Sequence, residues 1–205
     1  MSVVAFTQPS TTISNPLATL QNAAMLVHLG CRPQLIQKLT SAGIPSIKVL
    51  VSQIRGEEKD RGGRHPRSIV SLIESTAQHC RASLFLRYYM TALTYYDGTK
   101  GAVHADSFIR ALQLTKSEMG GEEFTPDHCY LVASLYHSRE ITTKHCHICA
   151  TPYLYTVEPQ LVRAHVTHGE CPLCRESAST QRGKTVVKVP DPKTQRAILA
   201  AFQSG

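Results

Sequence analysis

Along most of the chain, apolar residues recur at helical spacing and are punctuated by Pro and Gly. Asn15-Pro16 reads as a helix start, a capping side chain followed by a ring that pre-sets the first helical φ. Leu17, Leu20, Ala24 and Val27 then repeat on one face until Gly30. The spacing predicts a second helix over about Pro33 to Thr40, with Leu35, Ile36 and Leu39 inward, and a tight turn at Ser41-Ala42-Gly43. A third helix is predicted over about Pro45 to Ile54, with Ile47, Leu50, Val51 and Ile54 inward and Gly56 at its end. Ser68 is placed to cap a short run of Ile69, Val70, Leu72 and Ile73. From about His79 to Tyr96 the apolar positions Leu84, Phe85, Leu86, Tyr88, Tyr89, Met90, Ala92 and Leu93 go almost all the way round. Such a helix is buried on every side, either as the core of its own chain or under a second subunit. Phe85, Tyr88 and Tyr89 are therefore the candidate partner-binding residues. Ala105 to Met119 forms a further helix, and Thr125-Pro126-Asp127 opens the last, with Val132, Leu135 and Tyr136 inward.

This pattern predicts a mainly α protein. We expect a loose arm over 1–14, a helical domain over 15–140 that binds DNA and a partner, a small zinc ribbon over 141–180, and a C-terminal tail over 181–205 with a short helix. Two short helices around a Gly-containing turn make a helix-turn-helix-like unit within the helical domain. Its second helix would present Ser46, Lys48, Val49, Ser52 and Gln53 outward, with Arg55 at its end, groups suited to base edges and phosphates. The loop that follows carries Lys59, Arg61, Arg64 and Arg67 around Gly62-Gly63, and is suited to tracking a phosphate backbone. An ordinary helical hairpin and a solvated linker account for the same residues.

Charge sharpens this picture. The net charge is +7, yet residues 1–31 carry no Lys, Arg, Asp or Glu. The excess is +5 over residues 32–67 and +4 over 141–205, with −2 between them. Two basic ends around an apolar middle fit a chain that meets phosphate at its ends and a protein between them. There is no apolar run long enough for a membrane span and no secretory leader pattern, so a cytoplasmic location is expected. In that reducing setting, cysteines favour metal over disulfides.

Cys146-His147-Ile148-Cys149 and Cys171-Pro172-Leu173-Cys174 are two C-x2-C hooks separated by 21 residues. Each hook turns two thiolates toward one point, and a closed set of four soft ligands fits one structural Zn2+ per chain. A small β-ribbon is expected between the hooks, over Thr151 to Val162, with DNA contacts from Arg163, Arg175, Arg182 and Lys184 around and beyond it. Cys31, Cys80 and Cys129 lack partner spacing and read as small buried hydrophobes. His145, His147, His165 and His168 crowd the module, and one of them could replace a cysteine ligand. Catalytic zinc keeps an open position and a nearby carboxylate; Glu158, Glu170 and Glu176 have no such spacing, so no enzymatic role is expected.

The order of these features resembles the FlhC family of transcriptional activator subunits. Ala24-Met25-Leu26-Val27-His28-Leu29-Gly30-Cys31-Arg32 is similar to the family's opening helix, and Ile47 to Gly56 to its helix ending in Arg-Gly. Gly63, Pro66 and Ser68 resemble the following Gly-Pro-Ser loop, and Arg81-Ala82-Ser83-Leu84-Phe85 the His-Ala-Ser-x-Phe helix. The paired hooks follow, so the likeness spans about residues 17–175. It departs at Pro66-Arg67-Ser68, in having no Trp, and in a longer interval between hooks, which leaves flagellar and conjugative-transfer regulons both open. The resemblance implies an activator that assembles with an FlhD-like protein, four partner chains to two of this one. Such a complex binds double-stranded DNA upstream of promoters and assists RNA polymerase. A zinc-ribbon assembly protein that binds RNA or a protein partner is the alternative.

Overall fold

The computed structural model describes residues 16–56, 66, 68–95, 102–119, 124–156 and 171–174. The chain divides into two compact units, residues 1–61 and 62–205. The division falls inside the span expected to form one helical domain.

The first unit holds α1 (Pro16–His28), α2 (Pro33–Thr40) and α3 (Ile44–Arg55), each packed on the other two. Its core is Ala23, Leu26, Val27, Cys31, Leu35, Ile36, Ala42 and Ile47. All three buried side chains of α1 lie in its last two turns, where the short partners meet it. Leu17 and Leu20 in its first turns are 63% and 44% exposed, so the face they share with Val27 is covered only toward its C-terminal end. The α1 chain end is closed by a paired turn: Cys31 N–H donates to Leu26 O (2.9 Å) and Gly30 N–H to Val27 O (3.0 Å). Gly30 sits at φ +83, where a Cβ is costly. Between α2 and α3 the left-handed residue is Ser41 (φ 58), whereas Gly43 is extended and opens α3. The Thr40 hydroxyl steadies this turn by donating to Ile36 O and accepting from Ala42 N–H.

The second unit contains α4 (Val70–Ile73), α5 (Thr76–Tyr95), α6 (Ala105–Met119), α7 (Pro126–His137), β1 (Ile141–His145) and β2 (Pro152–Thr156). Ser68 and Ser75 hydroxyls accept from Val70 and Gln78 N–H, so both caps are short-range features of the sequence. The helix α5 packs against α4, α6, α7 and β2. That encirclement by its own chain accounts for the buried apolar residues of α5, while Arg81, Arg87 and Thr91 lie on its half-buried side. Phe85 and Tyr89 are fully buried and Tyr88 is 7% exposed, with Phe85 stacked on Tyr89 and edge-on to Phe108. The expectation that these three bind a partner is corrected here, because they form the core of their own chain.

The strands form an antiparallel pair in the register Ile141↔Thr156 through His145↔Pro152. A two-stranded hairpin is marginal on its own, and here β1 packs on α7 and β2 on α5. The expected ribbon thus pairs a strand before the first hook with one after it. It belongs to the same compact unit as α5 rather than standing apart.

Candidate metal centre

The first hook is the connection between β1 and β2. Cys146 N–H donates to Thr151 O (3.0 Å) and Ala150 N–H to Cys146 O (2.9 Å), so the chain doubles back tightly at the strand ends. Ala150 takes the left-handed conformation (φ 57) that this reversal demands. The reversal aims Ile148 N–H at Cys146 Sγ (3.3 Å). In the second hook residues 172–174 are helical, and the amides of Leu173 and Cys174 point at Cys171.

The four sulfurs lie within 4.8 Å of one another. Cys146 Sγ stands 3.7 Å from Cys174 Sγ, and Cys149 Sγ 3.8 Å from Cys171 Sγ. These are non-bonded separations, well beyond a disulfide. For metal–sulfur bonds of about 2.3 Å, the edge of a regular tetrahedron is about 3.8 Å. The two cross-hook edges therefore already match a tetrahedral ion with four sulfur ligands.

The thiols perturb one another as a crowded set must. Cys146 is lowered, chiefly by the backbone N–H of Cys149 and also by that of Ile148. Burial opposes ionisation of Cys149, but the Thr151 hydroxyl and amide outweigh it and bring it down to about 6. Burial pushes Cys171 up to about 11 and Cys174 to about 12, with hydrogen bonding and the charge of Cys149 adding to both. Two sulfurs ionise readily and two resist, chiefly because burial penalises the charged forms of Cys171 and Cys174, with the neighbouring Cys149 adding to it. A divalent cation among them removes that penalty.

The cluster rests on Tyr153, which is 1% exposed and packs with Cys146 and Cys171, while Leu173 and Cys174 border it. Tyr153 meets the edge of His79 on α5, with ring centroids 6.2 Å apart. One residue along, Leu154 is pinned at both backbone groups. Its N–H donates to Ser83 Oγ (2.9 Å), and its carbonyl accepts from His79 Nε2 (2.7 Å). His79 and Ser83, one helical turn apart, thus peg β2 to α5. Neither was among the candidate residues, and because α5 also carries Gln78, Arg81, Arg87 and Thr91, their polarity alone does not mark them in the sequence.

On α3, Ser46, Lys48, Val49, Ser52 and Gln53 are exposed, as their spacing predicted. Arg55 is corrected. Its guanidinium turns back across the unit and donates from Nε and Nη2 to Val27 O, and from Nη2 to Cys31 O (2.9 Å). Those are carbonyls at the α1 C-terminus, where a cation is favoured. The candidates Lys59, Arg61, Arg64, Arg67, Arg163, Arg175, Arg182 and Lys184 lie outside the described residues, as do His165 and His168. His145 and His147 are exposed, and the four-residue cluster is made of cysteines alone. Cys31, Cys80 and Cys129 are buried and not disulfide-bonded, as expected.

Fold and site together define, among the described residues, a mainly helical protein with a small two-stranded sheet and a cluster of four cysteines within metal-binding distance of one another. Among the described residues, no helix is long and apolar enough to cross a membrane. No family model and no curated protein matches the chain.

Proposed function

We propose that this chain is the DNA-binding subunit of a heteromeric transcriptional activator of the FlhC type, carrying one structural zinc. The observation that carries the reading is the exposed face of α3. Ser46, Lys48, Ser52 and Gln53 face solvent, while Ile47 is fully buried on the opposite side. A short helix held by its apolar side, with hydroxyl, amide and ammonium groups outward, has the chemistry to reach base edges and phosphates. The +5 excess over residues 32–67 surrounds that helix and supports the same assignment, including Lys59, Arg61, Arg64 and Arg67. The closed sulfur tetrahedron favours Zn2+, which needs no open position to rigidify the unit. Four thiolates with one Zn2+ contribute −2, which trims the +4 excess of residues 141–205 to about +2, and Arg163, Arg175, Arg182 and Lys184 are the basic residues assigned to DNA there. The partner in this reading is a small helical FlhD-like protein, and the complex acts with RNA polymerase.

The test is a mobility shift of promoter DNA by the chain co-expressed with such a partner, repeated across a salt series. Affinity falls steeply with salt, and Lys48→Ala reduces the log–log slope by about one. Equal affinity for RNA, or a slope unchanged by Lys48→Ala, favours an assembly protein with a zinc ribbon instead. Elemental analysis decides the metal separately, with about one zinc per chain expected.

A further inference from the structure

The four cysteines are not equally sheltered. Cys146 and Cys171 are 6% and 2% exposed, Cys174 is half-buried, and Cys149 is exposed. The exposed sulfur is 3.8 Å from Cys171 on the other hook, and the remaining two are 3.7 Å apart, also across hooks. An accessible sulfur beside a sheltered one is the arrangement of an oxidisable thiol with a resolving partner. The spacing lets both pairs close by a movement of under about 2 Å per pair, given an S–S bond of about 2.05 Å.

We propose that Cys149 is an oxidative modification site, attacked by hydrogen peroxide and resolved by Cys171 as a disulfide that joins the two hooks and opens the metal centre. The inference rests on the four-thiolate reading of the site. In the first step the Cys149 thiolate sulfur gives an electron pair to one peroxide oxygen. The O–O bond breaks, the sulfur keeps OH as a sulfenic acid, and hydroxide leaves. The Cys171 thiolate then attacks the Cys149 sulfur, the S–S bond forms, and a second hydroxide leaves. Two thiolates are oxidised by two electrons, one peroxide is reduced, and two solvent protons turn the hydroxides into water. The metal loses two of its four ligands, while the new bond keeps residues 171–174 tied to the hairpin. Cys146 and Cys174 are placed to close a second bridge in the same way. Fully buried Cys31 and Cys129 on other elements are outside the reaction.

The experiment uses the full chain as purified, with its zinc content measured first. Iodoacetamide below one equivalent labels Cys149 at least about tenfold ahead of Cys171. Hydrogen peroxide then releases zinc to a chromogenic chelator in step with disulfide formation. Trypsin cuts after Lys144, Arg163 and Arg175, so the hooks fall on separate peptides, 145–163 and 164–175. A crosslink between those peptides, placed by fragmentation at Cys149 and Cys171, is the expected product. First labelling at another cysteine, a disulfide inside one hook, or zinc held while peroxide leaves all thiols reduced would each overturn the proposal. A chain isolated without metal overturns the zinc reading alone, because labelling order and crosslink position still decide this one.

Discussion

Replacing Arg55 separates a structural cation from a DNA-binding one. Its guanidinium donates to Val27 O from two nitrogens and to Cys31 O from one, at the end of α1. Arg55→Ala leaves Cys31 O without this donor and removes a positive charge from a helix C-terminus. A hydrogen bond from a charged group contributes about 1.5–3 kcal/mol net, and the charge-to-dipole attraction a further 0.3–1, with the two overlapping. The expected loss is thus about 2–3 kcal/mol from a three-helix unit whose buried core, among the described residues, is eight hydrophobic side chains. Arg55→Lys keeps the charge but loses the planar fork whose Nε and Nη2 donate together, so it should lose about half as much. Hydrogen exchange read by mass spectrometry gives the answer: protection falls in peptides from residues 16–56 and is unchanged in those from 68–156. The salt slope of DNA binding, measured where the variant is folded, stays at the wild-type value. Unchanged protection together with a slope lowered by about one would refute the assignment and return Arg55 to the phosphate contacts.

Other outcomes follow from the second unit. Ser83→Ala leaves the Leu154 N–H buried without its acceptor and should cost about 1–3 kcal/mol in urea unfolding; a change within about 0.5 would mean the peg is dispensable. Arg139 occupies the left-handed position that ends α7, at φ 63. Arg139→Gly relieves a strain of about 1–2 kcal/mol against about 0.5–1 of added chain entropy, so a small gain in urea midpoint is expected. His128 and His137 both have their pKa lowered by burial, with Asp127 opposing the shift at His128. Their neutral forms are favoured in the fold, so this stability is present above the unfolded value of about 6.5 and lost as pH falls below it. Urea midpoints at pH 7.5, 6.5 and 5.5 should decline in that order, and a flat series would contradict it. Burial raises Tyr89 to about 12, so its contribution is present below about 10 and lost as pH rises toward 12.

How much of this was legible in the sequence depends on the range of the forces involved. Helix ends set by local chemistry were read closely: Pro33 to Thr40 and Ala105 to Met119 are the observed limits of α2 and α6. The hooks were legible because ligand spacing is itself a local geometric rule. Periodicity identifies an apolar stripe but not its cover. It set Leu17 and Leu20 on one face with Val27, yet no buried side chain of α1 lies before Ala23. The same ambiguity applied to α5, whose all-round apolar surface served equally for a core or an interface. Arg55 illustrates a further kind of miss. From the sequence it is one more cation beside a basic loop; only the return of α3 to the end of α1, 24 residues upstream of it at Cys31, assigns its donors.

The four-cysteine cluster and the hairpin have separate means of support, and this bears on what a metal in the proposed zinc site would do. Strand β2 is held by the His79 and Ser83 pegs, and Ile141, Leu154 and Thr156 are buried at 2% exposure or less. None of these attachments uses a metal ligand. What the sulfur cluster adds is a tie between residues 146–149 and 171–174, across an interval of 21 residues. Closing a loop of that length contributes about 3 kcal/mol on the chain-entropy scale used for crosslinks. A metal held there would therefore secure the return of the chain to the hairpin rather than the hairpin itself. An exposed ligand is tolerable in such a centre, since opening it frees one segment and leaves the helical core of the unit packed. That division is what makes the two proposed roles of Cys149, reactive thiol and structural ligand, compatible.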